Sequence, residues 1–393
     1  MVRTTSPPPA TGQAFPPPDR HLDACPVAEW GVFHRATKKC LHVRCTSGQG
    51  RLMLYTRTGL LIVDTEQGLR QKVGRGELVR VASGIYADGL DLSGRGEEVH
   101  ELRVRAHAHR CAHVVSHVSA AVLHGLPVPG ADLSEVHFSR RGHGGNDLVG
   151  DRRLHASCPP EEWVTEAEGI RITNVARTLI DVGRTQPHLA AVAAIDAALH
   201  RGLTDPADLV AAFEAELRWT GSPFARKALQ HADGRSESPG ETWARLALEG
   251  LHPGQELQFD VYDAAGQFVA RGDGGFPEFG LVWEYDGQGK YEELRRAGVT
   301  KEQVLAKQAR RQGRLVDLGW KVVRADRDDL PGSERFRGAV ASALWAASDP
   351  GSTRPRGSYT LKPPLTVDIR DPIQWGAAMR EEIADRWRAS RSA

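Results

Sequence analysis

Asp273, Glu284 and Asp286 are the residues whose types and spacing could do chemistry. They lie in the stretch Arg271-Gly-Asp-Gly-Gly-Phe-Pro-Glu-Phe-Gly-Leu-Val-Trp-Glu-Tyr-Asp286. It reads as a strand over 267–273, a turn over 274–280 and a strand over 281–286 that ends at the turn pair Asp286-Gly287. Alternation along the second strand puts Val282, Glu284 and Asp286 on one face. Pairing of the two strands brings Asp273 toward Glu284. An unpaired ionised carboxylate is costly to desolvate, so acids on a buried strand need compensation, and a divalent cation such as Mg²⁺ or Mn²⁺ would supply it. A cation that activates water beside a basic surface suits phosphodiester hydrolysis. The same acids could instead be solvated turn residues.

The elements around them fit that chemistry. Residues 301–318 have helical spacing, with Leu305, Ala309, Gln312 and Val316 on one side and Lys307, Arg310, Arg311 and Arg314 on another. Gly319 stops this helix, and 321–324 reads as a returning strand. The cations of the basic side would hold flanking phosphates.

Asp273, Glu284-Tyr-Asp286-Gly, Lys290-Tyr, the basic helix and Leu318-Gly-Trp320-Lys-Val-Val-Arg324 together resemble the very-short-patch-repair-like branch of the restriction-endonuclease-like fold, which carries the PD-(D/E)xK motif. The likeness extends upstream to Ser238-Pro-Gly-Glu241-Thr-Trp-Ala-Arg245 and covers about 236–330. It implies a mixed sheet flanked by helices, with Asp273 and Glu284 as catalytic metal ligands and Glu241, on the first helix, joining them. Asp286 occupies the family's lysine position, so Lys290, or Lys307 from the helix, would have to substitute. Gly274-Gly275 also depart from the apolar pair expected after Asp273.

Upstream, Thr65 can cap a helix over 66–73, Gly76 breaks it, and 78–82, Ser83-Gly84 and 85–86 read as a hairpin. The run Gly74-Arg-Gly-Glu-Leu-Val-Arg-Val-Ala-Ser-Gly-Ile-Tyr86 resembles the N-terminal winged helix of AbiEi-type antitoxins, which regulate transcription. Arg70, Lys72, Arg75 and Arg80 would then sit on phosphates of double-stranded DNA. That resemblance also implies a toxin partner protein. The segments 115–126 and 172–181 resemble the body of the same proteins.

The fold class expected is therefore multidomain α+β or α/β: an N-terminal winged helix, a mixed middle domain and a C-terminal restriction-endonuclease-like sheet. The expected divisions are a disordered or poorly defined leader over 1–52, a winged helix over 53–98, a middle domain over 99–235, a nuclease-fold domain over 236–347, a flexible linker over 348–366 and an amphipathic helix over 367–393. The leader holds Pro triplets at 7–9 and 16–18, and Met53 offers an alternative start. Trp375, Met379, Ile383 and Trp387 recur every four residues in the last segment.

The 393 residues suffice for several domains, and a net charge of +1 leaves nucleic-acid affinity to local patches. Five scattered cysteines read as free thiols of a cytoplasmic protein, with Cys25, Cys40, His42 and Cys45 matching no reliable zinc spacing. His113, His117 and His124 would share a helical face, with His137 beyond it, and read as packed or surface histidines without an acid partner in register. Arg140-Arg141 and Arg152-Arg153 flank a glycine loop that reads as solvated. Two functions follow: a metal-dependent endonuclease, or a non-catalytic DNA-binding regulator built on a degenerate nuclease fold.

Overall fold

The computed structural model describes residues 40–44, 51–61, 64–88, 96–108, 111–140, 146–157, 159–287, 300–329, 334–349 and 351–369. These form a mixed α/β protein with three sheets. The first contains β1 (Cys40–Arg44), β2 (Arg51–Thr56), β3 (Leu78–Ala82) and β4 (Ile85–Asp88) in the order β1-β2-β4-β3, with α1 (Arg57–Leu60) and α2 (Glu66–Gly74) between β2 and β3. Thr65 caps α2 by accepting from the Gly68 N–H at 3.0 Å. The leader expected over 1–52 is corrected at its end: Cys40–Arg44 pairs antiparallel with Arg51–Thr56. The five residues Cys-Leu-His-Val-Arg have the apolar/polar alternation that a strand requires.

The next helix, α3 (Gly96–Ala108), begins before the expected residue 99 and places Leu102 and Ala106 against Leu54, Val81 and Ile85 of the first sheet. Its opposite side carries Val104 into the second sheet's core with Val115, Val136 and Phe138. One helix thus closes two cores, so the division at residue 98 cuts through shared packing. The second sheet comprises β5 (Val114–Val115), β6 (Val136–Ser139), β7 (Asp147–Val149), β8 (Arg152–His155), β9 (Val164–Ala167) and β10 (Ile170–Thr173), ordered β7-β8-β6-β5-β10-β9. The short α4 (His117–Leu123) packs across it.

His100 on α3 is buried, with Nδ1 3.0 Å from the Leu133 carbonyl and Nε2 2.9 Å from Ser119 Oγ. Burial pushes its pKa from 6.5 down to about 4, assisted by Arg103 and His137 and opposed by the Leu133 bond and Asp132. The unfolded chain therefore binds a proton at mild acid pH that the folded chain refuses. Stability from this group is complete above about pH 6.5 and falls as pH drops toward 4, by about 2 kcal/mol at pH 5. Urea unfolding at pH 7 and pH 5 checks this; equal midpoints would contradict it.

Four helices follow: α5 (Val175–Thr185), α6 (His188–His200), α7 (Pro206–Ala215) and α8 (Ser222–Gln230). Asn174 caps α5 by accepting from the Arg177 N–H at 3.0 Å. Alanine-rich α6 lets its neighbours approach closely and is buried along most of its length. Buried Asp196 on α6 accepts from Thr242 Oγ1 at 2.8 Å, Arg245 at 2.9 Å and the Asp233 N–H at 2.7 Å. These bonds tie the helical layer to the C-terminal part across the expected boundary at residue 235.

The third sheet is built from α9 (Pro239–Ala247), β11 (Glu256–Tyr262), β12 (Phe268–Phe276), β13 (Leu281–Asp286), α10 (Lys301–Asp317), β14 (Lys321–Asp326), α11 (Glu334–Ala347) and β15 (Ser358–Thr360). The strands lie in the order β14-β13-β12-β11-β15. The first three in sequence form an antiparallel meander, and β14 returns parallel to β13. Trp243, Trp283, Phe336 and Val340 pack on the face covered by α9 and α11, while Phe259, Val282, Leu315 and Trp320 pack on the face covered by α10.

Two expectations are corrected here. Gly274 and Gly275 belong to β12 rather than to a turn, because the Trp283 ring covers Gly274 and a Cβ there would sit 2.1 Å from it. Nor is 348–366 a free linker. Ser358–Thr360 pairs with β11, Thr366 bridges Asp233, and the Gly234 N–H donates to the Leu365 carbonyl at 2.8 Å. Val367 then enters the core of the helical layer, so no helix begins at 367. Trp375, Met379, Ile383 and Trp387 lie outside the described residues.

Candidate functional site

The β12–β13 ladder ends at the pair Gly274 and Trp283, one residue before Asp273 and Glu284, and Glu284 is in register with Arg324 on β14. The Asp273 carboxylate lies close enough to Glu284 to act on its charge. The strands bend at this point. Leu257 and Phe259 pack on opposite faces although they are two residues apart, because Gln258 between them has φ of 51°. A left-handed residue here reverses the alternation, and Leu257 and Phe259 stay paired with Gly274 and Gly272 on either side of Asp273. Asp273 uses one carboxylate oxygen to accept from the Tyr285 N–H at 2.9 Å, which anchors it to β13.

Glu284 is 3% exposed and faces α10. Arg311 of α10 donates to its Oε1, and Arg324 Nη2 lies 3.1 Å from its Oε2. Arg324 also donates to Asp286, which receives Gln308 Nε2 at 3.4 Å. Burial raises the Glu284 pKa despite both arginines, and the Asp273 and Asp286 carboxylates push it further. The site thus presents a buried carboxylate held by two arginines, with two further carboxylates near it.

The expected face of α10 is corrected. Val316 is 53% exposed, and Leu315 is the residue that packs in the core. The helix is rotated so that Gln308 and Arg311 reach the acids. Arg314 donates to the Phe268 carbonyl at 3.0 Å, whereas Lys307 and Arg310 are exposed. The four expected phosphate contacts therefore divide into two surface cations and two bonded to the sheet. Lys290 lies outside the described residues.

Glu241, expected to join Asp273 and Glu284, is buried near the start of α9. It accepts from Ser238 Oγ, the Glu237 N–H and Gln258 Nε2, each at 2.9 Å. Among the described residues its carboxylate does not join those of Asp273 and Glu284 as a converging set of three. What it does is lock α9 to β11. The start of α9 packs directly on the acid strand: a Cβ on Gly240 would sit 1.9 Å from the Tyr285 ring. Gly240→Ala is expected to displace Tyr285 and to cost about 1–3 kcal/mol of overpacking strain. A denaturant midpoint equal to wild type would contradict this close approach.

In the first sheet region, Arg70, Arg75 and Arg80 are exposed, while Lys72 is held by Asp64 at 2.8 Å. Arg140 is paired with Asp147 and Arg153 with Glu135 at 2.6 Å. Two of the four arginines flanking the glycine loop, Arg140 and Arg153, thus have local acid partners.

A second polar centre lies in the middle region. His117, His137 and His155 each bring a ring nitrogen within 4.8 Å of the others, which no other trio of His, Cys, Asp or Glu does among the described residues. His155 is absent from the expected set, and the structure places it at the end of β8. His113 precedes β5 and is not on the helix with His117. No acid was expected in register with these histidines, and the one near them comes from another helix: Asp181 on α5 lies 3.7 Å from His117 Nε2. Asp181 and Glu216 in turn pair with Arg177 and Arg184 in a buried network. Burial, with the neighbouring cations, lowers the pKa of His117 well below its ordinary value. Burial likewise brings His137 to about 4 and His155 to about 2. All three rings are neutral at pH 7.

No helix among the described residues is long and apolar enough to cross a membrane. No protein-family model matches the chain. It is similar to two proteins of Mycobacterium tuberculosis, "Uncharacterized protein MT2308" of strain CDC 1551 / Oshkosh and "Uncharacterized protein Rv2248" of strain H37Rv. Each is 29% identical over 273 residues, which is 68% of this chain and 92% of the relative.

Proposed function

We propose that this is a DNA-binding protein whose third sheet forms a Mg²⁺-dependent phosphodiester-hydrolysing site. The observation that supports it is the Asp273 carboxylate close to that of buried Glu284, beneath a helix that carries Lys307, Arg310 and Arg311. The donor set fits the metal. Mg²⁺ prefers hard oxygen ligands and is usually held by one or two carboxylates with several waters, so two acids suffice without Glu241. Asp273 and Glu284 would hold it, and it would supply an activated water and charge neutralisation at the phosphate. Arg311 and Arg324 reach Glu284 and would steady it until a phosphodiester and a cation compete for the same partners. Lys307 and Arg310 would bind flanking phosphates from their exposed positions.

The helix and hairpin over 66–88, read as a winged helix, would bring the protein to double-stranded DNA through Arg70, Arg75 and Arg80. Substituting Arg80 with glutamate is expected to weaken binding across sequences and to lower the salt slope of log K by about 1. An unchanged slope would remove this hairpin from the interface.

A second reading is favoured by the arginine pairing itself. Glu284 and Asp286 already have protein cations, and Asp286 stands at the family's lysine position. On that reading the chain is an antitoxin-like regulator, with a toxin protein as partner and a platform without turnover. Purified chain incubated with plasmid DNA and Mg²⁺ or Mn²⁺ separates the two. Cleavage that disappears in Asp273→Ala supports hydrolysis. Retarded DNA without cutting, unaffected by that substitution, supports the regulator and overturns the enzyme reading.

A further inference from the structure

We infer that His117, His137 and His155 form a zinc-binding site in the middle region, separate from the acids of the third sheet. Three secondary-structure elements supply the ligands. His137 lies on β6, His155 ends β8 alongside it, and His117 opens α4 above them. His137 Nδ1 is 3.0 Å from His155 Nε2, and the His117 and His155 rings stack with centroids 3.6 Å apart. Tetrahedral zinc with Zn–N bonds near 2.0–2.1 Å separates its ligand nitrogens by about 3.3 Å. The ligand atoms of the trio already fall within 4.8 Å of one another, and the stacked His117 and His155 rings would turn out of parallel to converge on one ion.

The backbone points the same way. His117 has φ of 56°, in the left-handed region, where a bulky side chain costs of order 1–3 kcal/mol. Ser116 precedes it at the helix cap, yet its hydroxyl makes no cap bond. It lies 2.9 Å from His117 Nδ1 instead and accepts from Ser139 Oγ, also at 2.9 Å. A capping interaction is thus given up, and a strained conformation accepted, to turn one imidazole toward two others.

The surroundings suit a metal with nitrogen ligands. Asp181, 3.7 Å from His117 Nε2, adds a buried carboxylate beside the trio. Ser139 and Ser157, 3.1 Å apart, add hydroxyls beside the trio. Three imidazoles with no thiolate favour zinc among the abundant divalent ions, whereas Mg²⁺ is drawn to oxygen donors.

The test uses the full chain. Metal content is measured by mass spectrometry after dialysis against Zn²⁺, and the visible spectrum is recorded after substitution with Co²⁺. The inference expects about one zinc per chain, tetrahedral Co²⁺ bands, and affinity lowered by at least about tenfold in His137→Gln and His155→Gln. Zinc uptake by Asp273→Ala should equal that of wild type. A wild-type chain that takes up no zinc would overturn the inference. So would folded His155→Gln that binds as tightly as wild type, or zinc lost in Asp273→Ala. Should both histidine variants fail to fold, the wild-type Co²⁺ spectrum decides: octahedral, weak bands would refute three-nitrogen tetrahedral coordination.

Discussion

Alanine in place of Glu284 is expected to reduce Mg²⁺-dependent DNA cleavage by about a thousandfold or more. Charge stabilisation by a bound divalent ion is worth several kcal/mol, and each 1.36 kcal/mol is about tenfold in rate. The fold should survive the change. Arg311 is 38% exposed and Arg324 27% exposed by side chain, so both guanidiniums can turn to water, and Asp286 remains for Arg324. Loss of the buried carboxylate even removes a desolvated charge, so the thermal midpoint should stay near wild type. DNA retardation in gels without metal should persist, because the exposed cations Lys307, Arg310, Arg70, Arg75 and Arg80 are untouched. A variant that still cuts at wild-type rate would exclude Glu284 from the chemistry.

Replacing Asp181 with alanine is expected to cost about 3–5 kcal/mol of stability, enough to remove much of the margin of an ordinary domain. Asp181 is fully buried and receives Arg177 at 3.1 Å and Arg184 at 2.9 Å. Both arginines also bind Glu216, and both stack on Trp219, with guanidinium carbons 5.6 and 5.0 Å from the ring centroid. Removing one acid leaves two buried cations facing one carboxylate. Burial raises the Glu216 pKa, chiefly against the pull of those arginines and with Asp181 adding to the rise. Loss of Asp181 would therefore lower it. Urea titration gives the stability change directly, and a loss below about 1 kcal/mol would show that the network is not held as described.

Much of the local structure could be read from residue order. Thr65 announced its helix because a cap is a local bond between a side chain and an N–H three residues on. The approach of Asp273 to Glu284 was read from the pairing of two strands, but the incoming strand runs on to Phe276, past the expected turn at 274. Other features depend on partners distant in sequence. The strand Ser358–Thr360 is only three residues long and exists because β11 offers an open edge. Its composition of Ser, Tyr and Thr amid Pro and Gly gave no periodicity. The rotation of α10 is set by Glu284 and Asp286, which outbid Val316 for the inward direction by recruiting Arg311 and Gln308. His155 joined His117 and His137 through parallel pairing of β6 with β8, a contact that no spacing along the chain encodes. Glu241 is on the expected helix, and its bond from the Gln258 amide joins it to a residue of β11 that no local spacing links to it.

Calorimetric titration of the full chain with Mg²⁺, for wild type and Asp273→Ala side by side, tests most directly whether these two strands share a cation. The account predicts one magnesium site on wild type that vanishes in Asp273→Ala, at a pH where both proteins are folded. Identical binding isotherms for the two proteins would contradict it.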